Sequence, residues 1–377
     1  YVLVCTKGSV AVTIAPPPPP RRARVEKPSR REPQRRIFDL ILMNHEYDLA
    51  ALRVKEIGAC VHTMIFAQPT FNFASGKPVA GRLPFPRRLL QLHKNVVFYP
   101  IQPAGLHSAC TGATATAWCR ESFARNALLE AFDKLGGRDS DVILISDADE
   151  VPRPHALRII RNKLLSSKPL LSRLSSIRHF KYSLHCEDPT PWSKGPIAID
   201  AAHVRRIGSN AARLAKPPYC VARGYRSSCR SGTRAQDWTL LPNASWHLSS
   251  MSGGIDGHIF KLQSNSETIT SAALLNRSHV SMRLAKCMDH LGRIIGIRKG
   301  VTGLRATAWT HHNLPISQDV PMTMLKMLKK GKFAHYLNDG VGSPKVPDPA
   351  DVVALVELPS RQQCVRRGDP LTLSRTN

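Results

Sequence analysis

The stretch VILISDADEVPRP constrains the fold most, because its apolar run stops abruptly at three carboxylates. Five residues that a sheet could bury on both faces lead directly into Asp147, Asp149 and Glu150. The two prolines that follow begin helices or turns well and continue strands badly. The stretch therefore predicts a strand, an acidic turn and a helix, with the turn at the carboxyl end of the strand, where open α/β sheets bind ligands.

Apolar runs and amphipathic segments alternate on both sides of this stretch. Strands are predicted for IFDLILMN, VHTMIFAQ, NVVFYPI and DVILIS, and helices for EYDLAALRVKEIG, WCRESFARNALLEAFDKLGG and HALRIIRNKLL. After Leu170 strand patterns dominate, in SIRHFKYSLH, IAIDAAHV and ASWHLSSM, and helices follow in GHIFKLQSNS and PMTMLKMLKKGKF. The alternation predicts an α/β fold, a parallel or mixed sheet with flanking helices on both faces, whose later strands build a substrate-side subdomain on the edge of the same sheet.

Composition divides the chain into three parts. Residues 1–36 hold a five-proline run and an Arg-rich segment with little to bury, which predicts a disordered tail or stem. Residues 37–303 carry the alternating pattern and are expected to form a single catalytic domain, and residues 304–377 a partly helical or irregular extension. The first fifteen residues are apolar but shorter than a membrane span, so they are either the remnant of a signal anchor or a poorly ordered end.

Charge and cysteine content indicate the kinds of partner and compartment. Lys and Arg number 54 against 27 Asp and Glu, a formal net charge of +27, which favours nucleic acid, nucleotide-sugar phosphates or acidic membrane surfaces. The nine cysteines include no CxxC pair and fit no close metal-ligand pattern. They are either a few disulfides of a secreted chain, with one thiol left over, or buried free thiols. Glycosylation triplets at Asn243 and Asn276 weakly favour the first interpretation.

The Asp147-Ala148-Asp149 pattern has two interpretations when it is considered without its neighbours. An Asp at a strand end is most often a cap or turn residue. Two carboxylates one residue apart can also reach one hard cation, and Mn²⁺ and Mg²⁺ favour carboxylate oxygens and share them with substrate phosphates. Such an ion would offset the charge of a departing diphosphate. Together with the basic composition, the turn indicates a nucleotide-sugar site.

Five blocks, in order, resemble glycosyltransferase family 17. They are FDLILMNHEYDLAALRVKEI, TFNFASGKP, WCRESFARN, ISDADEVPRP and SWHLSSMSGGIDGHIFKLQSNSET, within residues 38–268. The chain departs from the family pattern at Asn265 and Ser266, where Phe and His are usual. The resemblance implies a GT-A-like fold and an inverting transfer of GlcNAc from UDP-GlcNAc to a mannose of an N-glycan in β-1,4 linkage.

The resemblance also implies roles for individual residues. Asp147 and Asp149 would hold Mn²⁺ or Mg²⁺ and the donor diphosphate, while Glu150 would shape the turn. His247 is either a third metal ligand or a hydrogen-bonded core histidine. The other donor-binding candidates, each with a structural alternative as a cap, an ion pair or an exposed side chain, are Asn44, Glu46, Arg120, Arg125 and Lys261.

An inverting transfer needs a carboxylate that accepts the proton of the acceptor hydroxyl. The candidates are Glu187, Asp188, Asp237 and Asp256. We favour Glu187 and Asp188, because a strand end next to Trp192 suits a site on which a sugar stacks. A solvated loop pair is the alternative interpretation of these two acids.

Three other functions compete with this one. A basic nucleic-acid-binding protein would explain the charge, but the Arg-rich segment 21–36 contains no aromatic side chain to stack on bases. A metal-dependent hydrolase or phosphotransferase would need further ligands or a phosphate loop. A degenerate relative would keep the fold and lose the transfer. We expect a metal-assisted N-acetylglucosaminyltransferase of the Golgi lumen, membrane-anchored as a type II protein in its full length.

Overall fold

The computed structural model describes residues 35–79, 89–90, 93–163, 171–176, 179–188, 192, 194–214, 239–264, 266, 272–285, 287–288 and 320–329. Within the expected tail, it describes Arg35 and Arg36, whose guanidinium groups pair with Asp200 and with the buried Asp141. The folded domain therefore includes at least two residues that composition assigned to the tail. Within the expected extension, only residues 320–329 are described.

Two β-sheets form the framework of the described residues. Their strands are β1 (Ile37–Leu42), β2 (Thr63–Pro69), β3 (Val96–Ile101), β4 (Val142–Asp147), β5 (Glu150–Pro152), β6 (Leu171–Leu174), β7 (His179–Lys181), β8 (Ser183–Asp188), β9 (Ile197–Asp200), β10 (Thr239–Leu241) and β11 (Ser245–Ser249). The seven-stranded sheet has the order β10-β6-β9-β4-β1-β2-β3, and the four-stranded sheet the order β5-β11-β7-β8. Because β4 is parallel to β1 and antiparallel to β9, the predicted mixed sheet is confirmed.

The helices are short apart from one central helix. They are α1 (Tyr47–Ile57), α2 (Leu106–Ala109), α3 (Ala117–Lys134), α4 (Pro154–Lys163), α5 (Ala201–Ile207), α6 (Ser209–Leu214), α7 (Gly254–Ser264), α8 (Ala272–Leu275), α9 (Arg277–Ala285) and α10 (Met322–Lys329). Short 3-10 turns lie at Gly58–Cys60 and Gly112–Thr114. In the described part of the chain, we find no helix with the length and apolar character that crossing a membrane requires.

Side chains of the large sheet alternate between two cores. In β1, Phe38, Leu40 and Leu42 pack with α3 and α5, whereas Ile37 and Ile41 pack with α1 and α4. This alternation is the two-residue period of a strand buried on both faces. The core beneath α1 and α4 also contains side chains of the four-stranded sheet, so the two sheets share apolar packing. The predicted sheet with helices on both faces is confirmed.

The chain after the acidic turn differs from the prediction. Glu150–Pro152 is the strand β5, which pairs antiparallel with β11, and α4 begins only at Pro154. The later strands also do not all join one sheet, because β5, β7, β8 and β11 form a sheet of their own. A three-residue strand is formed by its pairing partner rather than by local pattern, which explains why the sequence did not reveal it.

The segment IAIDAAHV is a strand only in its first half. Strand β9 ends at Asp200, and the next residue begins α5. Alanine favours a helix over a strand, and Asp is depleted in strands and favoured at helix starts. The strand prediction for residues 201–204 is therefore wrong, and the next helix, α6, contacts the acidic turn through Arg213.

Two disulfides join described cysteines. Cys110 is bonded to Cys119, nine residues along the chain, and Cys186 to Cys287, which is 101 residues away. Cys60 is also disulfide-bonded. These bonds confirm the interpretation of the cysteines as disulfides and contradict, for these five, the alternative of buried free thiols.

Candidate functional site

The acidic turn lies where the two sheets meet. Asp147 ends β4 in the centre of the large sheet, and Glu150 begins β5 in the small one. The turn is therefore at the carboxyl end of a central strand, as predicted, and at the point where the direction of strand pairing changes. This edge is where open α/β sheets bind ligands.

A buried arginine holds the backbone of the turn. Arg53 of α1 is fully buried and binds the two carboxylate oxygens of Asp39 in β1 at 2.8 and 2.7 Å. Its guanidinium also donates to the carbonyl oxygen of Glu150 at 2.6 Å, that of Asp147 at 3.3 Å and the hydroxyl of Ser146 at 2.7 Å. One side chain thus ties β1, β4 and β5 together beneath the three carboxylates.

Asp147 is the most accessible of the three acids. Its side chain is 33% exposed, against 8% for Asp149 and 1% for Glu150. Arg125 of α3 approaches one carboxylate oxygen at 2.9 Å and donates to the other at 3.2 Å. Arg213 of α6 lies 3.7 Å from the second oxygen. Asp147 therefore presents a carboxylate at the surface of the site with two guanidinium groups beside it.

Asp149 forms a buried ion pair with α7. The Nζ of Lys261 donates to its carboxylate at 2.8 Å and lies 3.6 Å from the carboxylate of Glu46. Burial opposes the charge of Asp149, but the neighbouring Lys261 and, to a smaller extent, His247 hold the pKa of this carboxyl well below its usual range. Burial likewise opposes the charge of Lys261, and Asp149 and Glu46 together raise the pKa of its ammonium.

Glu150 faces inward from the start of β5. One carboxylate oxygen accepts the Trp192 indole N–H at 2.8 Å and an Arg213 N–H at 2.5 Å, and the other accepts the backbone N–H of Asp147 at 3.3 Å. Burial raises the pKa of Glu150 and the nearby Asp147 and Asp149 add to this, although Arg213 opposes it. The hydrogen bond to Asp147 closes the turn, which is the arrangement expected of a residue that shapes it.

Three rings stack behind the carboxylates. His247 of β11 stacks on both His179 and Trp192, each with its ring centroid 4.2 Å away, and those two rings contact each other at 5.3 Å with a tilt of 50°. Its Nε2 is 3.8 Å from Asp149, and burial lowers the pKa of its imidazole well below the usual value. The ring is buried like a core histidine, and it also faces the acid that the resemblance assigned to a metal.

The two candidate arginines of α3 have different partners. Arg125 pairs with Glu121 at 2.5 Å as well as with Asp147. Arg120 instead donates to the carbonyl oxygens of Phe73 and Ala74, each at 2.5 Å. Arg120 therefore fixes the loop 70–78, and only Arg125 reaches the acidic turn.

Asn44 and Glu46 organise the chain between β1 and α1. One carboxylate oxygen of Glu46 accepts the backbone N–H of Asn44 at 2.8 Å and that of His45 at 3.0 Å. The Asn44 amide donates to the Ser264 hydroxyl at the end of α7 at 2.6 Å. Both candidates thus lie at the site, and α1 and α7 are linked through them and through Lys261.

The candidate bases are not gathered at the turn. Glu187 and Asp188 lie on the edge strand β8, where the backbone of Asp188 pairs opposite His179. Asp256, in the first turn of α7, forms an ion pair with Arg277. The fourth candidate, Asp237, lies outside the described residues. The register therefore places the backbone of Asp188 opposite His179, and the role of base stays a prediction.

The resemblance implies a divalent ion, and the carboxylates fit it unequally. Asp147 is accessible, whereas Asp149 is bound to Lys261 and nearly buried. In the part of the chain that is described, no group of three or more His, Cys, Asp and Glu side chains could hold a metal ion. Mg²⁺ is often held by one or two carboxylates together with substrate phosphates. Of the two carboxylates, only Asp147 is exposed enough to share such an ion with a bound diphosphate, and it would do so in exchange for its contacts with Arg125.

Sequence reasoning missed two arginines of the site. Arg213 follows the acidic turn by more than sixty residues in a short helix, and nothing distinguishes it among 54 basic residues. Arg53 could have been noticed, since it occurs on a helix whose other positions are nearly all buried and mostly apolar. A charged residue in such a helix indicates a buried partner, and Asp39, on the preceding strand, was available.

These observations define an α/β protein with an acidic, arginine-lined site at the carboxyl edge of its sheet. Residues 23–192 match the family model "Glycosyltransferase family 17". The resemblance drawn from the motifs is therefore confirmed over this segment, which is similar to that family. The match contains four of the five blocks, and the fifth, in residues 245–268, lies beyond it.

The similar curated proteins are named beta-1,4-mannosyl-glycoprotein 4-beta-N-acetylglucosaminyltransferase. Those of Rattus norvegicus and Homo sapiens are each 27% identical over 227 residues, 58% of this chain and 41% of the relative. The chain thus spans about two fifths of the length of these relatives. Among solved structures, 4-diphosphocytidyl-2C-methyl-D-erythritol synthase is similar with a TM-score of 0.28 and 13% identity, over 48% of this chain and 85% of that one.

Proposed function

We propose that this chain is an inverting glycosyltransferase that transfers GlcNAc from UDP-GlcNAc to a mannose of an N-glycan, in β-1,4 linkage. The observation that carries the proposal is the acidic turn, with an accessible Asp147 between Arg125 and Arg213 at the carboxyl edge of the sheet. The family match and the printed names of the relatives support the reaction class and the sugar.

The charged groups of the site suit a nucleoside diphosphate. Arg125 and Arg213 bring two guanidinium groups to the edge where a diphosphate would lie, where each also contacts Asp147. A bound Mn²⁺ or Mg²⁺, held by Asp147 and the diphosphate, would supply further charge compensation for the leaving group. Arg53 and Glu150 hold the backbone of the turn, so that Asp147 is kept at the edge of the sheet before the donor binds.

Strand β8 carries the acids proposed to act on the acceptor hydroxyl. Asp188, paired by its backbone with His179, is the favoured base, and Glu187 its alternative on the same strand. Asp256 is less suited, because its carboxylate is engaged by Arg277. The base would take the proton of the attacking mannose hydroxyl while the GlcNAc ring passes through an oxocarbenium-like state.

We also propose a lumenal, secretory location, consistent with Golgi residence. The disulfides Cys110–Cys119 and Cys186–Cys287 support it, because such bonds form and persist in oxidising compartments. Attachment to a membrane through a type II anchor is part of the same proposal.

Donor binding to the full chain tests the function. UDP-GlcNAc, UDP-Gal and GDP-mannose are titrated with and without Mn²⁺ while thermal unfolding is followed. A ligand at one hundred times its Kd stabilises the folded state by about 2.7 kcal/mol, so a shift with UDP-GlcNAc that exceeds the shifts with the other two supports the proposal. An absence of any shift with all three sugars contradicts it.

A further inference from the structure

An exposed tryptophan lies at the start of the helix that carries Arg125. Trp118 lies in the first turn of α3 and is 56% exposed, and it is the single aromatic among the strongly exposed large apolar side chains of the described residues. Tryptophan has a large apolar surface that is usually highly buried. Among the described residues, no packing contact accounts for its position on the surface.

The helix geometry relates Trp118 to the acidic turn. Arg125 follows it by seven residues, which is close to two full turns, so the two side chains lie on the same face of α3, about 10 Å apart along the axis. Glu121 and Ser122 lie between them on this face, where they contact Arg125 and Asn210 of α6. Trp118 thus lies at one end of a row of side chains on α3, and Arg125, at the other end of the row, binds Asp147.

The first turns of α3 are held firmly beside the site. The Thr116 hydroxyl caps the helix by accepting the backbone N–H of Cys119 at 3.1 Å, and Cys119 is bonded to Cys110. Arg120 ties the same turns to the loop 70–78. An aromatic ring on a fixed backbone loses little freedom when a ligand binds it, which favours a binding role.

We propose that the indole of Trp118 is a platform on which a sugar ring of the acceptor glycan stacks, next to the site of transfer. The proposal rests on the proposed function, which supplies the class of ligand. A pyranose has a face of C–H groups that complements the negative face of an aromatic ring, whereas its hydroxyls remain free for hydrogen bonds. The distance from Arg125 suits a sugar of the acceptor rather than the donor diphosphate.

Calorimetric titration of the full chain with a free N-glycan oligosaccharide, in the absence of a donor, tests the platform. Trp118→Ala should weaken binding of the glycan between roughly twofold and tenfold, and Trp118→Phe should retain most of it. Ile159→Ala is the matched control, because Ile159 is 40% exposed on α4, which packs on the opposite face of the large sheet. The affinity of the control should equal that of the wild type.

UDP-GlcNAc, titrated alone, separates this inference from the proposed function. Trp118→Ala should bind it as the wild type does. A wild type that binds the glycan through Trp118 but does not bind UDP-GlcNAc contradicts the transfer and upholds the platform. Glycan affinity unchanged in Trp118→Ala, or no glycan binding by the wild type up to millimolar concentration, overturns the platform.

Discussion

At the scale of single residues, the contact between Asp149 and Lys261 carries the most consequence for the site. Both side chains are at least four-fifths buried, and the ammonium lies 2.8 Å from the carboxylate. Removing one partner of a buried pair leaves an uncompensated charge, whereas removing both can be nearly neutral. The pair is therefore expected to act as a unit in its effect on stability.

A double-mutant cycle measures this coupling. Lys261→Met and Asp149→Asn should each lower the free energy of unfolding by about 3–5 kcal/mol, and the double variant should lose less than the sum of the two. Urea unfolding at neutral pH gives the three values. Strictly additive losses would show that the two groups do not interact in the folded protein.

The pKa of His247 predicts how stability depends on pH. Burial lowers this pKa in the folded state, so the unfolded chain binds a proton at His247 at a higher pH than the folded chain does. The contribution of His247 to the free energy of unfolding is therefore fully present above about pH 6.5. Below that pH the free energy of unfolding falls by about 1.4 kcal/mol per pH unit, until the pKa of His247 in the folded state is reached.

His247→Phe keeps a ring in the stack and removes the titration. Urea unfolding between pH 7 and pH 5 should show a shallower decline of stability for this variant than for the wild type. Parallel declines for the two proteins would mean that His247 titrates normally in the folded state.

At the scale of elements, Arg53 joins α1 to three strands. Because its side chain and that of Asp39 are fully buried, Arg53→Met should cost about 3–5 kcal/mol of unfolding free energy. Arg53→Lys keeps the charge but not the planar fork that binds Asp39 and the turn, so it should recover only part of the loss. Urea unfolding gives the comparison, and a lysine variant as stable as the wild type would show that charge alone suffices.

The two disulfides predict unequal effects on stability. In the loop-entropy model, a bond that closes nine residues stabilises by about 2.6 kcal/mol and one that closes 101 residues by about 4.7 kcal/mol. Replacing Cys186 and Cys287 by alanine should therefore destabilise more than replacing Cys110 and Cys119. Denaturant unfolding of the two double variants under non-reducing conditions checks the order, and the reverse order would contradict the loop argument.

At the scale of the whole molecule, the sequence predicted the elements that local hydrophobic patterns encode. The apolar runs of β1, β2 and β4 and the periodicity of α1 and α3 indicated the large sheet and its two faces, and the carboxylates after β4 indicated the site. The small sheet was not predicted, because β5 is only three residues long and is stabilised by its pairing with β11 rather than by a local pattern. Arg213 was not predicted because only tertiary structure brings α6 to the acidic turn.

The most direct test of the account is the transfer reaction itself. The full chain is incubated with UDP-GlcNAc, Mn²⁺ and a free N-glycan, and the glycan is analysed by mass spectrometry, with Asp147→Asn as the matched variant. We predict that the wild type adds one GlcNAc to a mannose and that the variant, which lacks the accessible carboxylate, adds essentially none. A glycan left unmodified by the wild type, or modified equally by both proteins, would contradict the assignment of this turn as the site of transfer.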